Sequence, residues 1–340
     1  MIQKKHGKSI DIAKFKKPVL SDVKGHLNKI ATIVDYLSNN ENAIEQKECY
    51  ICGGSEREKF AEIHGFTYMT CLGCSHVYTS TRYSDDAIIR FYKKNSYWSE
   101  VTYANKETCY YRRDNVAKPK VNFLEQYIDE RSSGIWLDIG SGIGDLVSVV
   151  KEKGYEAIGL ELSDVSVKFA KDVFGIDLIQ NTIEEFIQTN NDKKGKIKVV
   201  SMIGLLEHVV APIEVLKNVN SLLIKDGIVM IQVPNANSLA SLVQQVFPDN
   251  VFRHMSPIEH IMLFKERSLN KALELTGFQP ISYWFHGLDI YELITNLILL
   301  NDHVNGSPLY KALIENMNQL QAVIDEVELS DRIICIAKKK

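Results

Sequence analysis

From Gly134 onward the chain alternates short apolar runs with helical segments, and this rhythm constrains its fold more than any other feature. Residues 135–139 read as a strand, 145–153 as a helix, 156–161 as a second strand and 165–173 as a second helix. Further strands are expected at 177–180, 197–203 and 228–233. Pro212 stands in the first turn of the helix before the last of these, where a missing N–H costs little. Gly227 stands where that helix should end. Strands separated by helices imply βαβ units and a parallel sheet covered on both faces. The expected class is therefore α/β, with a doubly wound, Rossmann-like sheet. Helices near 239–247 and 268–276, a strand at 281–285, a helical insert near 288–325 and a last strand at 332–337 complete the reading.

Asp138-Ile139-Gly140-Ser141-Gly142-Ile143-Gly144 follows the first strand and opens a helix. Glycines there let a ligand approach the backbone at the carboxyl edge of the sheet, where such folds bind nucleotides. A tight turn with no ligand is the plain alternative. The spacing is Gly-x-Gly-x-Gly, and Asp145 occupies the sixth position of the dinucleotide pattern. An acid two residues before the first glycine suits a cationic, amino-bearing ligand better than a pyrophosphate. Glu161 ends the second strand, where a carboxylate can accept both hydroxyls of a ribose.

Upstream, Cys49-x2-Cys52 and Cys71-x2-Cys74 are separated by 18 residues. Two such turns bring four thiolates together in the tetrahedron that Zn²⁺ prefers, and Gly53, Gly54 and Gly73 relax the turns. A closed four-sulfur shell leaves no open position, so the expected zinc is structural; a degenerate or redox pair is the alternative. His76 is a spare donor nearby. Cys109 and Cys335 are expected in the core.

At this point the chain resembles the class I S-adenosylmethionine-dependent methyltransferases. The residues that carry the likeness are the 138–144 loop, Glu161, Leu206-Glu207-His208 and the run from Gly227 to Asn235, within about 130–285. With the zinc module, the resemblance extends to deoxysugar C-methyltransferases and polysaccharide-modifying enzymes. It implies S-adenosylmethionine as cofactor. Gly140, Gly142 and Gly144 would lie along the cofactor, Asp138 near its amino group and Glu161 on the ribose. Where many relatives carry an Asp for the adenine amine, this chain has Asn181-Thr182-Ile183. Asn181 or Thr182 would supply a neutral hydrogen bond and Ile183 an apolar wall.

The resulting division is 1–45 as an N-terminal helical segment, 46–80 as the zinc module, 81–130 as an aromatic linker or lid and 131–340 as the cofactor-binding domain. The lid reading rests on Tyr92, Tyr97, Trp98, Tyr103, Tyr110 and Tyr111; glue between modules is the alternative.

Methyl transfer needs alignment of donor and acceptor, and a hydroxyl acceptor must lose a proton. A neutral His near pH 7 is suited to take it. His208, beside Glu207, is the candidate base; ordering of its loop is the alternative. Gly204 replaces the first acid of the Glu-x-x-Glu-His pattern by which some related enzymes bind a divalent ion. Leu205 replaces a Tyr that the deoxysugar C-methyltransferases carry. O-methylation of a small polar acceptor, a sugar or nucleotide-linked sugar, is the leading expectation. C-methylation of a keto-sugar and modification of a nucleic acid are the alternatives. His254 and His260 are further acceptor-side candidates.

Composition argues against some partners. A net charge of −3 gives no whole-molecule field for nucleic acid or an anionic membrane, although residues 1–24 are rich in Lys. No apolar run approaches the roughly 20 residues of a membrane span, and no apolar leader follows Met1. A cytoplasmic protein is expected, with a homodimer as one option for assembly.

Overall fold

The structure, a computed structural model, describes the chain except residues 1, 41–42, 85, 88–89, 91–105, 130, 132 and 252. Tyr92, Tyr97, Trp98 and Tyr103, on which the lid reading rested, lie outside the described residues.

Thirteen strands are described: β1 (Gln3–His6), β2 (Ile44–Glu45), β3 (Arg57–Ile63), β4 (Phe66–Cys71), β5 (Val77–Thr79), β6 (Thr81–Arg82), β7 (Ile135–Ile139), β8 (Glu156–Leu160), β9 (Ile197–Ile203), β10 (Leu223–Pro234), β11 (Met262–Leu263), β12 (Phe278–Phe285) and β13 (Arg332–Lys339). Seven form the main sheet in the order β1-β12-β13-β10-β9-β7-β8. β8, β7, β9 and β10 run parallel; β13 is antiparallel to both β10 and β12, and β1 is parallel to β12. All of these strands except β13 therefore end at one edge.

The central strands are apolar on both faces because both are covered. Leu137 and Ile139 enter one core layer while Trp136 enters the other. The same alternation sends Val229, Ile231 and Val233 one way and Ile228 and Met230 the other.

Three features depart from the sequence expectations, the first being that the Pro212–Leu222 helix passes directly into β10, so Gly227 lies within the strand and not at the helix end. The strand expected at 177–180 is only a bridge, Ile179 to Leu160. Leu178 packs near Gly144 and Gly159, but Ile179 is 38% exposed at the sheet edge, so the run has one buried face and does not lengthen.

The N-terminal segment is not wholly helical. Gln3–His6 pairs with Ser282–Phe285 as an edge strand, and helices Ile12–Phe15, Lys17–Ser21 and Val23–Asn40 follow. Its residues are polar, so period-2 patterning gave no sign of it. Tertiary contacts hold it: Lys5 lies 3.8 Å over the Trp284 ring, and Lys4 pairs with Glu266 and Glu328.

The N-terminal helices and the C-terminal insert (Asp289–Leu300, Pro308–Glu315, Met317–Glu326) share one core. Phe15, Val19 and Ile30 pack there with Tyr291, Ile294, Ile298 and Met317. The four-cysteine unit is likewise stitched to the rest: β11 completes its sheet in the order β11-β5-β4-β3.

Candidate functional site

Two chemical centres emerge, the cysteine knuckles and the carboxyl edge of the main sheet. In the first, the four Sγ atoms lie within 4.8 Å of one another, with Cys49–Cys74 and Cys52–Cys71 both at 3.5 Å. A tetrahedron with Zn–S bonds of about 2.3 Å has S–S edges of about 3.8 Å, so the donors fit that ion. Gly53 (φ 71°) and Ser75 (φ 64°) follow the second cysteine of each pair in left-handed conformations, and their N–H groups donate to the carbonyls of Cys49 and Cys71. His76 is not among these donors. It is fully buried between Tyr78 and Phe264, and burial lowers it to about 3.

The glycine loop crosses from β7 to the Asp145–Glu152 helix. Gly140 and Ser141 donate their N–H groups to the Leu160 carbonyl, which fastens the loop to the end of β8. Gly140, Gly142 and Gly144 have φ values of 74°, 54° and 72°, conformations an L side chain resists. A Cβ on Gly140 would also meet Leu205 at 3.2 Å.

Glu161 ties the loop from beyond β8. Its carboxylate accepts from the N–H of Gly142 and from that of Ser163, each at 2.8 Å. A carboxylate offers about four lone-pair positions, so two remain for a ligand's hydroxyls. Burial raises Glu161 above its ordinary range, and these backbone donors oppose the shift.

Asp138 is 3% exposed at the end of β7. Its Oδ1 accepts from the Ser201 hydroxyl at 2.5 Å, and that hydroxyl accepts in turn from the Trp136 indole N–H at 2.9 Å. Burial pushes Asp138 up to about 7, with Ser201 opposing. A buried acid poised there gains most from a cationic neighbour.

Of the three residues expected beside the adenine, Thr182 caps the Ile183–Thr189 helix in a reciprocal box with Glu185, and Ile183 is buried in the core. Asn181 is half-buried and follows the Ile179 bridge.

After β9, a short turn at Leu206–His208 sets Glu207 and His208 at the same edge. His208 Nδ1 lies 2.7 Å from the Glu259 carbonyl. A carbonyl only accepts, so Nδ1 carries the proton and Nε2 keeps its lone pair. His260 is fixed the same way, with Nδ1 2.5 Å from the His254 carbonyl. The two imidazoles meet edge to face at 4.9 Å, and Glu207 Oε1 lies 4.0 Å from His208 Nε2.

Burial lowers His208 to about 3 and His260 to about 4, and raises Glu207 to about 8. At neutral pH the group is two neutral imidazoles beside a protonated acid. One donor atom from each lies within 4.8 Å of the others, a spacing that a divalent cation also accepts. From sequence, His260, 52 positions from His208, is a separate acceptor-side candidate, and the fold brings the two rings together. His254 is buried, with Nε2 2.9 Å from Ser241 Oγ and 3.3 Å from Ser238 Oγ.

Comparison with known proteins follows this geometry. A family profile described as a methyltransferase domain matches residues 110–283. The chain is 26% identical over 144 residues to the ubiquinone biosynthesis O-methyltransferase of Actinobacillus pleuropneumoniae serotype 7 (strain AP76), across 39% of this chain and 62% of that protein. It is 28% identical over 161 residues to the enzyme of the same name from Escherichia coli O9:H4 (strain HS), across 45% and 64%. The match thus spans less than two thirds of either relative.

Among solved structures, a SAM-dependent methyltransferase from Archaeoglobus fulgidus aligns with a TM-score of 0.45 at 20% identity, over 67% of this chain and 94% of that one. Burkholderia thailandensis 1,6-didemethyltoxoflavin-N1-methyltransferase, crystallised with its substrate and S-adenosylhomocysteine, aligns with a TM-score of 0.46 at 14% identity, over 79% and 98%. The family profile covers just over half of the chain, and this protein belongs to the methyltransferase-domain family.

Proposed function

We propose that the protein is an S-adenosylmethionine-dependent O-methyltransferase acting on a small polar acceptor, a sugar or nucleotide-linked sugar. The observation that carries the O-methyl reading is the His208 tautomer: Nδ1–H points at the Glu259 carbonyl, so the Nε2 lone pair stands beside Glu207 at the edge that holds the glycine loop. When bound, S-adenosylmethionine supplies an electrophilic methyl carbon on a sulfonium. In this reading Gly140 and Gly142 admit the methionine part, Glu161 holds the ribose and Asp138 answers the ammonium. Asn181 supplies the neutral hydrogen bond near the adenine. His208 Nε2 would accept the proton of the acceptor's hydroxyl, the role its unprotonated nitrogen suits.

Two observations support the pieces. The left-handed glycines and the unspent lone pairs of Glu161 fit a nucleoside that approaches the backbone closely. The curated relatives carry the name O-methyltransferase. The sugar rests on the resemblance of the four-cysteine unit to those of sugar-modifying methyltransferases, and the zinc proposed there is structural.

Incubation with methyl-labelled cofactor and a panel of sugars and nucleotide sugars, read by mass spectrometry, tests the proposal. Label on oxygen that depends on His208 and survives chelation is the expected result. Label on carbon would favour the keto-sugar alternative, and loss of turnover with a chelator that spares the cysteine site would replace the base by a metal ion.

A further inference from the structure

The carboxyl edge of the main sheet is divided by charge. Over β7, β8 and β9 stand the acids already described, Asp138, Glu161 and Glu207. Over the other half, cations gather from segments far apart in sequence. Lys8 follows β1, whose end is fixed by the Gly7 N–H donating to the Phe285 carbonyl. Arg332 opens β13 opposite Pro234, where β10 ends. Arg112 closes the Lys106–Arg112 helix, and Lys120 lies in the Lys118–Leu124 helix. Lys16 joins them from the N-terminal helices, with Arg112 and Lys16 both beside the Phe15 ring. The fields of Lys120, Arg332 and Arg112 all act on Lys8, and those of Arg112 and Arg332 act on Lys16.

The acids on this side are largely spent. Glu292 and Asp331 hold Arg253, while Asp289 accepts from the backbone N–H groups of Ala240 and Asp331 and from Gln321. Among the described residues, the ion pair of Arg332 is a 3.8 Å approach to Asp331. Lys120 is 5% exposed, yet it and Lys8 make no hydrogen bond or ion pair among the described residues. His286 Nε2 is buried within the field of Lys8 and Lys120, without a hydrogen-bond partner among the described residues.

We infer that this basic half is the seat of a phosphate-type anion carried by the acceptor, so that the substrate is a phosphate or diphosphate ester. The inference rests on the methyltransferase reading for what the anion is attached to. A buried ammonium without a counter-ion, such as Lys120, is costly, and crowding further cations beside it raises that cost unless an anion joins them. One carboxylate brings a single negative charge, whereas a diphosphate brings several charges and enough oxygens to face lysines and arginines from several segments. The free protein shows the strain: burial first, then neighbouring cations, lower Lys8 to about 6 and Lys120 to about 7. An anion reverses this, so its binding takes up protons. The acids in the same field are Asp138, Asp145 and Glu207 on the cofactor side and Asp289 and Glu292 beneath.

Calorimetric titration of the full chain with inorganic diphosphate at pH 8 tests the inference. The expected result is saturable binding, with proton uptake seen as a buffer-dependent enthalpy. Affinity should fall about tenfold or more in Lys120→Met and Lys8→Met and stay unchanged in Lys151→Met on an exposed helix face. Lys120→Met should also melt no lower than the parent without diphosphate, since it replaces a buried amine that has no partner among the described residues by an apolar side chain. Absence of saturable binding, equal affinity in the variants, or displacement by acetate as effective as by diphosphate overturns it. S-adenosylhomocysteine titrated into the same samples separates the failures. Retained nucleoside binding with lost diphosphate specificity sinks this inference alone, and loss of both sinks the methyltransferase reading too.

Discussion

Asp138→Asn probes the acid at the centre of the proposed cofactor site. The ordinary value for an Asp is 3.8, and burial raises this one to about 7. An unfolded chain has lost that proton above pH 4, whereas the folded one keeps it until about pH 7. The folded state therefore binds more protons across this window, and stability falls as pH rises through it. About three pH units at about 1.4 kcal/mol each gives a loss of about 4 kcal/mol, an upper bound for a group with one strong hydrogen bond. Asn keeps an oxygen for the Ser201 hydroxyl and carries no charge, so the variant should lose this slope and be the more stable protein at pH 8. Cofactor binding should show the opposite preference. A ligand ammonium favours ionised Asp138, so affinity for S-adenosylhomocysteine should rise between pH 6 and 8 in the parent and be flat and weak in the variant. Chemical denaturation at several pH values, with calorimetry on the same samples, reads both. Parallel stability profiles for parent and variant, or undiminished affinity in the Asp138→Asn variant at pH 8, would refute the reasoning.

Other outcomes follow from the same geometry. His208→Ala should lower kcat by about 10²–10⁴ with nucleoside affinity unchanged, and comparable losses in both would reassign His208 to loop order. Gly140→Val places a β-branched residue at φ 74° and a Cβ 3.2 Å from Leu205. It should cost about 1–2 kcal/mol and abolish nucleoside binding, as seen by thermal shift with and without S-adenosylhomocysteine. If the four cysteines hold the proposed zinc, Cys71→Ser should lose about one zinc per chain by elemental analysis and melt lower, because a structural metal site couples binding to folding. An unchanged melting temperature in zinc-loaded and chelated parent would remove the structural role.

The sequence alone determined the parts whose signal is local. Continuous apolar runs separated by helical periods specify a buried parallel sheet, because only strands covered on both faces can be apolar throughout. Left-handed turns demand glycine at 140, 142 and 144, and cysteines three positions apart in paired turns specify a four-sulfur cluster. Tertiary structure alone decided what joins distant segments. The polar β1 strand exists because Trp284, Glu266 and Glu328 hold its lysines, and no period within four residues could announce it. His260 reaches His208 because two backbone carbonyls fix both rings, a contact made across 52 positions. The gathering of Lys8, Lys16, Arg112, Lys120 and Arg332 likewise depends on strand order, since a net charge of −3 averages away the field that the fold concentrates at one half of one edge.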